Sequence, residues 1–199
     1  VNDHIEDVAR RFAAEGWVAV APHLFHRTGD PKLGYTDMDA IKEHFAALTA
    51  DGILADVDAA LAELARRDIP ARRTGVVGFC MGGTVTLVTA VHREVGAAVT
   101  FYGGGVTEGR FGFGPLVEEA RNLRAPWLGL YGDLDQGIPV EGVEQLRRAA
   151  ASSGQETQVI RYPAAGHGFH CDQRDSYEPE SARAAWARTL AWFDDHLGS

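Results

Sequence analysis

Residues 75–84, GVVGFCMGGT, join an apolar run to a pair of glycines through a cysteine. The apolar run over 75–79 is typical of a buried strand, and the segment after the glycines continues as an apolar helix. The pattern predicts a strand over 75–79, a helix over 81–92 and a sharp turn between them at Cys80. A cysteine at such a turn is either a small core residue or a nucleophile.

Strand-like and helix-like segments alternate outward from this stretch. Strands are predicted over 17–21, 75–79, 97–101, 126–131 and 157–162. Helices are predicted from Asn2 or Asp3 to Gly16 and over 37–49, 51–67, 81–92, 116–122, 140–152 and 179–196, with a polar loop over 23–36. Continuous apolar strands that alternate with helices indicate an α/β fold, with a mostly parallel sheet covered by helices on both faces. A length of 199 residues predicts one domain, 1–199.

Composition narrows the class of partner. The chain has a net charge of −9, whereas a nucleic-acid-binding protein is expected to carry a basic patch. The longest apolar runs have the length of strands, so no transmembrane helix is predicted, and no signal peptide is recognised at Val1. Two cysteines, Cys80 and Cys171, form no disulfide framework, which favours a reducing, cytoplasmic location. We therefore expect a small-molecule substrate, without nucleic acid or membrane.

Polar residues follow five of the predicted strands. In parallel sheets, ligands bind at the carboxyl ends of the strands. The residues to consider are therefore 23–27, Cys80, Tyr102, 133–136 and 167–171. We expect them to surround one pocket.

The segment GFCMGG, residues 78–83, has the spacing of the nucleophile elbow G-x-S-x-G, with Cys80 in the place of serine. Glycines at 78 and 82 are expected to let the backbone pass closely. The positive end of the following helix favours a thiolate at Cys80, and the N–H of Met81 is expected to face a developing oxyanion. The alternative is a buried structural cysteine in a tight turn.

Two further residues favour the nucleophile. Asp135 lies in YGDLD just past a strand, and His167 lies in AGHGF after the last strand. The order nucleophile, acid, histidine is that of α/β-hydrolases. In such a triad the histidine moves the proton and the carboxylate holds the imidazole. Asp133 is a rival acid, but two further residues bring Asp135 into the loop above the strand.

Four segments together resemble the dienelactone hydrolase family, also called carboxymethylenebutenolidases. They are GFCMGG (78–83), YGDLDQGIP (131–139), YPAAGHGF (162–169) and DVARRFAAEGWVAVAPHLFHRTG (7–29). The resemblance implies an α/β-hydrolase fold and a catalytic triad of Cys80, Asp135 and His167. It also implies hydrolysis of a carboxylate-bearing enol-lactone through a thioester, without cofactor or metal.

The sequence departs from this family in two places. Family members open with strands and a loop that supplies a second oxyanion N–H, so we expect a member shortened at its N-terminus, with those strands and that loop missing. The family also holds the substrate carboxylate with two arginines. Arg27 matches the first, but Cys171 occupies the position of the second, and Arg174 is the candidate to replace it. Tyr102 matches a tyrosine that lines the family's pocket.

Other interpretations compete with the hydrolase. The loss of an arginine at position 171 makes a different ester or lactone a possible substrate. A non-catalytic ligand-binding protein of the same fold is one alternative, and a redox protein that uses Cys80 and Cys171 is another. A metal site built from His23, His26, His167, His170 and Cys171 is not favoured, because the spacing lacks a clear second pair of ligands.

Overall fold

The structure, a computed structural model, describes residues 1–34 and 38–198. It divides the chain into two compact units, Val1–Asp68 and Ile69–Ser199. The prediction of one domain over 1–199 is not tested by this division and stays a prediction.

The first unit is helical. It contains α1 (Asp3–Ala14), α2 (Met38–Ala46) and α3 (Ala50–Ala65), with a short 3-10 helix over His26–Thr28. The Asn2 side chain accepts a hydrogen bond from the N–H of Ile5 at 3.1 Å and so caps α1, as the sequence predicts. Val8 and Phe12, one turn apart on α1, are buried. The predicted start of α2 at residue 37 lies outside the described residues.

The predicted strand over 17–21 is wrong. None of the four strands in the described part of the chain includes this segment or pairs with it. Val18 is 51% exposed and Val20 is 38% exposed. Apolar residues favour an extended backbone, but a strand also requires a hydrogen-bonded neighbour, which a local pattern does not supply.

The second unit is built on a parallel sheet. Its strands are β1 (Gly75–Phe79), β2 (Ala97–Phe101), β3 (Trp127–Gly132) and β4 (Thr157–Tyr162), in the order β1-β2-β3-β4 with every pair parallel. The connecting and closing helices are α4 (Met81–His92), α5 (Leu116–Glu119), α6 (Val140–Ala151) and α7 (Pro179–Leu197), with short 3-10 helices over Ala71–Arg73 and Ala120–Asn122. These strands and helices confirm the α/β prediction.

Helices cover both faces of this sheet. On one face, a Cβ built on Gly75 of β1 would meet Phe193 and Leu197 of α7 at 2.8 and 2.9 Å. On the other face, a Cβ on Gly78 would meet Oγ1 of Thr86 in α4 at 2.6 Å. Because side chains alternate along a strand, β1 presents odd-numbered residues to α7 and even-numbered residues to α4.

A buried polar contact joins the α4 face of the sheet to its core. The Thr100 hydroxyl on β2 donates to the carbonyl of Gly83 in α4 at 3.1 Å. The indole N–H of Trp127 on β3 donates to the same hydroxyl oxygen at 3.0 Å. Both side chains are fully buried, so these bonds satisfy groups that would otherwise lose their hydration.

In the described part of the chain, no helix combines the length and apolarity that crossing a bilayer requires.

The turn from β1 into α4 depends on glycine at two of its three positions. A Cβ on Gly78 would clash with the backbone carbonyl of Gly82, and one on Gly83 would lie 2.6 Å from the carbonyl oxygen of Phe101. At Gly82 a Cβ would meet nothing within 4 Å. The predicted close approach is therefore found where the backbone of Gly82 passes Gly78. The expectation that position 82 itself requires glycine is wrong, because a side chain there would have open space. The second position that requires glycine is Gly83.

These contacts generate a stability prediction. Gly78→Ala is expected to destabilise the protein by about 3 kcal/mol, because its methyl group meets a backbone carbonyl that cannot move away. Gly82→Ala is the matched control, and it should leave stability unchanged or raise it by up to about 1 kcal/mol, because alanine favours the helix. Urea unfolding of both variants measures this. Equal stability of the two variants would contradict the packing described for the turn.

Candidate active site

Cys80 lies at the turn between β1 and α4 in a strained backbone conformation. Its φ is 54° and its ψ is −114°, and positive φ is uncommon for a residue with a side chain. Its N–H donates to the carbonyl of Phe101 at the end of β2 at 3.1 Å. Its carbonyl accepts from the N–H of Gly83 at 3.0 Å, inside the first turn of α4. The turn is the sharp strand-to-helix connection that the sequence predicts, and it leaves Cys80 partly exposed.

A second group of residues meets Cys80 from the ends of β3 and β4. Nδ1 of His167 lies 2.7 Å from Oδ2 of Asp135. The other carboxylate oxygen of Asp135 accepts from the N–H of Gly137 at 2.9 Å. His167 also forms a side-chain hydrogen bond with Cys80. The structure therefore brings Cys80, His167 and Asp135 into one hydrogen-bonded chain, with Asp135 buried at its far end.

The rival acid, Asp133, is bound elsewhere. Its two carboxylate oxygens accept from Nε and Nη2 of Arg161 at 2.7 and 2.9 Å. The hydrogen bonds from Arg161 hold the pKa of Asp133 below its usual range. Nη1 of the same arginine donates to Glu144 at 2.9 Å. Asp133 belongs to this ion-pair cluster and not to the chain that ends at Cys80.

The electrostatics of the chain favour a charged pair. Burial acts to lower the pKa of His167, but hydrogen bonds to Asp135 and Cys80 outweigh it and raise the pKa to about 9. Burial acts to raise the pKa of Cys80, but the hydrogen bond and charge of His167 outweigh it and lower the pKa below the ordinary thiol value. Both shifts have the sign that stabilises thiolate and imidazolium together near neutral pH.

Met81 acts on the cysteine through its backbone. Its N–H forms a hydrogen bond with the Cys80 side chain, which also lowers the pKa of the thiol. Met81 is the first residue of α4, so this N–H is one of the donors that a helix start leaves unpaired. The predicted oxyanion donor thus lies within reach of the sulfur.

Tyr102 lies beside the histidine. It directly follows β2, has a φ of 38° and is 1% exposed. Its ring centroid lies 5.1 Å from that of His167 and 5.3 Å from that of Phe169. The Tyr102 ring therefore packs against the imidazole of His167. Its predicted contact with substrate stays a prediction.

The two predicted substrate arginines have different surroundings. In the first unit, Arg27 forms a bidentate ion pair with Asp56, with distances of 2.7 and 2.9 Å. Nε2 of His26 lies 3.0 Å from the same carboxylate. In the second unit, a Cβ on Gly168 would lie 2.5 Å from Nη1 of Arg174, so this guanidinium lies against the backbone beside His167. Substrate binding by Arg27 and Arg174 stays a prediction.

One charged residue near Cys80 is absent from the sequence prediction. Arg110 lies in the loop between β2 and α5, and its positive charge also lowers the pKa of the Cys80 thiol. The sequence offers one signal, because the glycine run 103–105 that begins this loop follows a strand end.

Cys171, the partner in the redox alternative, is 1% exposed and follows His167 in a turn, where its N–H donates to the carbonyl of Gly168 at 2.9 Å.

Comparisons with known proteins identify the family of this chain. The sequence profile of the "Dienelactone hydrolase family" matches residues 1–197. The chain is 39% identical over 202 residues to a protein of Escherichia coli O157:H7 named "Putative carboxymethylenebutenolidase", covering 100% of this chain and 74% of the relative. It is 32% identical to a Bradyrhizobium protein named "Probable 2-oxo-3-(5-oxofuran-2-ylidene)propanoate lactonase", covering 99% of this chain and 80% of that protein.

A solved structure from Klebsiella pneumoniae, named "Putative Dienelactone Hydrolase", superposes with a TM-score of 0.89 at 39% identity, covering 98% of this chain and 82% of that one. The profile match and the identity both extend over nearly the whole chain. The chain belongs to the dienelactone hydrolase family.

Proposed function

We propose that this chain hydrolyses a lactone or carboxylic ester through a Cys80–His167–Asp135 triad and a thioester intermediate. The observation that carries the proposal is the hydrogen-bonded chain from Asp135 through His167 to Cys80. Membership of the dienelactone hydrolase family supports the reaction class. The relatives named as a carboxymethylenebutenolidase and a lactonase support a small lactone as the substrate.

In the first half-reaction, the Cys80 thiolate attacks the carbonyl carbon and the carbonyl oxygen becomes an oxyanion. The N–H of Met81, at the start of α4, is the donor available to that oxygen. Collapse of the tetrahedral intermediate breaks the bond to the leaving oxygen, and the His167 imidazolium gives that oxygen its proton. The products are an alcohol, or the opened end of the lactone, and a thioester on Cys80.

In the second half-reaction, His167 is neutral and acts as a base. It takes a proton from water, and the hydroxide attacks the thioester carbonyl. The second tetrahedral intermediate releases the Cys80 thiolate and the acid, which restores the thiolate–imidazolium pair. Asp135 serves both halves, because it fixes the ring through Nδ1 and stabilises the imidazolium whenever it forms.

The nucleophile is tested by Cys80→Ala. Turnover of p-nitrophenyl acetate and of a dienelactone is expected to fall by about 10³-fold or more, because no other group supplies the attacking electron pair. Circular dichroism and urea unfolding should show a folded protein. Cys171→Ala is the matched control, and it should keep the wild-type rate.

Three results would contradict this assignment. Wild-type hydrolysis by Cys80→Ala would remove the cysteine from the mechanism. Loss of turnover in Cys171→Ala, with activity that depends on mild oxidation of the wild type, would instead support the redox alternative. A folded wild-type protein that turns over neither substrate would support the non-catalytic binding protein.

The acid is tested by the pair Asp135→Asn and Asp133→Asn. Asp135→Asn is expected to lower kcat by about 10³- to 10⁴-fold, because the amide no longer holds the imidazole in the required tautomer. Asp133→Asn removes an equal charge two residues away but breaks only the pairing with Arg161. It should lower the melting temperature and leave kcat close to the wild-type value. Equal losses of kcat would contradict the choice of Asp135.

The charged pair is tested by pH. kcat/KM should rise with pH as Cys80 ionises below the ordinary thiol pKa, and should fall near pH 9 as His167 loses its proton. Alkylation of Cys80 by iodoacetamide should follow the rising limb alone. In His167→Gln the pH midpoint of alkylation should move upward. Burial still raises the thiol pKa there, and the hydrogen bond and charge of His167 no longer lower it. An unchanged midpoint would contradict the pairing of Cys80 with His167.

A further inference from the structure

The segment that carries His167 has neither helix nor strand. It runs over residues 163–178, between β4 and α7. His167 lies there between Gly166 and Gly168, and Gly168 has a φ of 82°. Glycines on both sides leave the backbone of the histidine with wide conformational freedom. The position of the imidazole therefore depends on contacts from other parts of the chain.

A loop over residues 171–178, here called the support loop, supplies such contacts. The Ser176 hydroxyl donates a hydrogen bond to the backbone carbonyl of His167 at 2.7 Å. A Cβ on Gly168 would lie 2.5 Å from Nη1 and 2.9 Å from Cζ of Arg174, so the guanidinium covers the backbone of the next residue. The support loop thus contacts the histidine and the glycine that follows it, and only Ser176 does so through a hydrogen bond to His167 itself.

The support loop is itself fixed at the start of α7. The N–H of Glu178 donates to the carbonyl of Phe169 at 3.0 Å. The Glu178 carboxylate accepts from the N–H groups of Ser181 and Glu180 at 2.7 and 3.2 Å, and so caps α7. Ser176 lies two residues before this cap. The helix end therefore determines where its hydroxyl lies, and the hydroxyl is a defined point against which the histidine backbone can be held.

We propose that Ser176 is a positioning residue of the Cys80 site, whose hydroxyl fixes the backbone of His167 and so keeps the imidazole within reach of both Asp135 and Cys80. Ser176 and His167 are both partly buried, so a lost bond would leave the carbonyl to seek another partner and turn the peptide. Nδ1 of His167 lies 2.7 Å from Oδ2 of Asp135, and a catalytic geometry tolerates displacements of only about 0.5 Å. The proposal rests on the proposed function for the reaction, but the alignment can be measured without turnover.

The pH dependence of Cys80 alkylation measures this alignment. The titratable groups that form hydrogen bonds with the His167 side chain are Asp135 and Cys80, and both bonds raise its pKa. In Ser176→Ala these bonds should loosen, which lowers the pKa of His167 and raises the pKa of the thiol. The pH midpoint of alkylation by iodoacetamide, followed by mass spectrometry of the Cys80 peptide, should move upward by about 0.5 unit, a change of about threefold in the ionisation constant.

Ser152→Ala is the matched control. The Ser152 hydroxyl donates to the backbone carbonyl of Ala149 at 2.6 Å at the end of α6, so this variant loses the same kind of bond away from the site. Both alanine variants should lower the melting temperature slightly, but only Ser176→Ala should move the midpoint. An unmoved midpoint in Ser176→Ala, or an equal movement in both variants, overturns the positioning role.

A second pair of variants separates the hydroxyl from the shape of the side chain. Ser176→Thr and Ser176→Val have the same shape, and only threonine keeps the donor. The threonine variant should have a midpoint closer to that of the wild type than the valine variant has. Equal midpoints in the two variants would contradict the role of the hydroxyl. This comparison also decides the question if Ser176→Ala does not fold.

Hydrolysis then separates this proposal from the proposed function. For p-nitrophenyl acetate, Ser176→Ala should lower kcat by about tenfold and leave KM unchanged, because a displaced histidine slows proton transfer and not binding. If the wild type hydrolyses no ester but Ser176→Ala moves the alkylation midpoint, the triad proposal fails and the positioning role stands. If the wild type hydrolyses the ester and Ser176→Ala keeps both kcat and the midpoint, the positioning role fails and the triad proposal stands.

Discussion

The positive φ of Cys80 is the constraint on which the rest of the second unit's site depends. That conformation is held from both sides, by the bond from Cys80 to Phe101 and by the contact of Gly78 with the carbonyl of Gly82. A side chain of any size at Gly78 would push α4 away from β1 and relax the turn. Packing at the neighbouring residues therefore maintains the strained backbone of Cys80. This conformation places the sulfur at the start of α4.

Parallel pairing of the strands then brings together the other residues of the site, which are far apart in the sequence. Phe79 is the register partner of Phe101, and β3 and β4 end together at the pair Gly132 and Tyr162. Each strand therefore delivers its following residues to one edge of the sheet, where Tyr102, Asp135 and His167 lie. The Asp135 carboxylate and the thiolate–imidazolium pair favoured at Cys80 and His167 share this edge in a partly dehydrated setting. Removing one of them leaves the others uncompensated, so the chain of bonds behaves as a unit.

Local patterns in the sequence predict most of this arrangement and fail where long-range contacts decide. β2 has the predicted bounds, because its mostly apolar run is buried along its whole length. Residues 17–21 carry a similar run, but a strand also depends on which neighbour is available to it. Asp135 could be preferred to Asp133 by its place in a loop, whereas the bidentate bonds of Asp133 to Arg161 join residues 28 positions apart and leave no local signal.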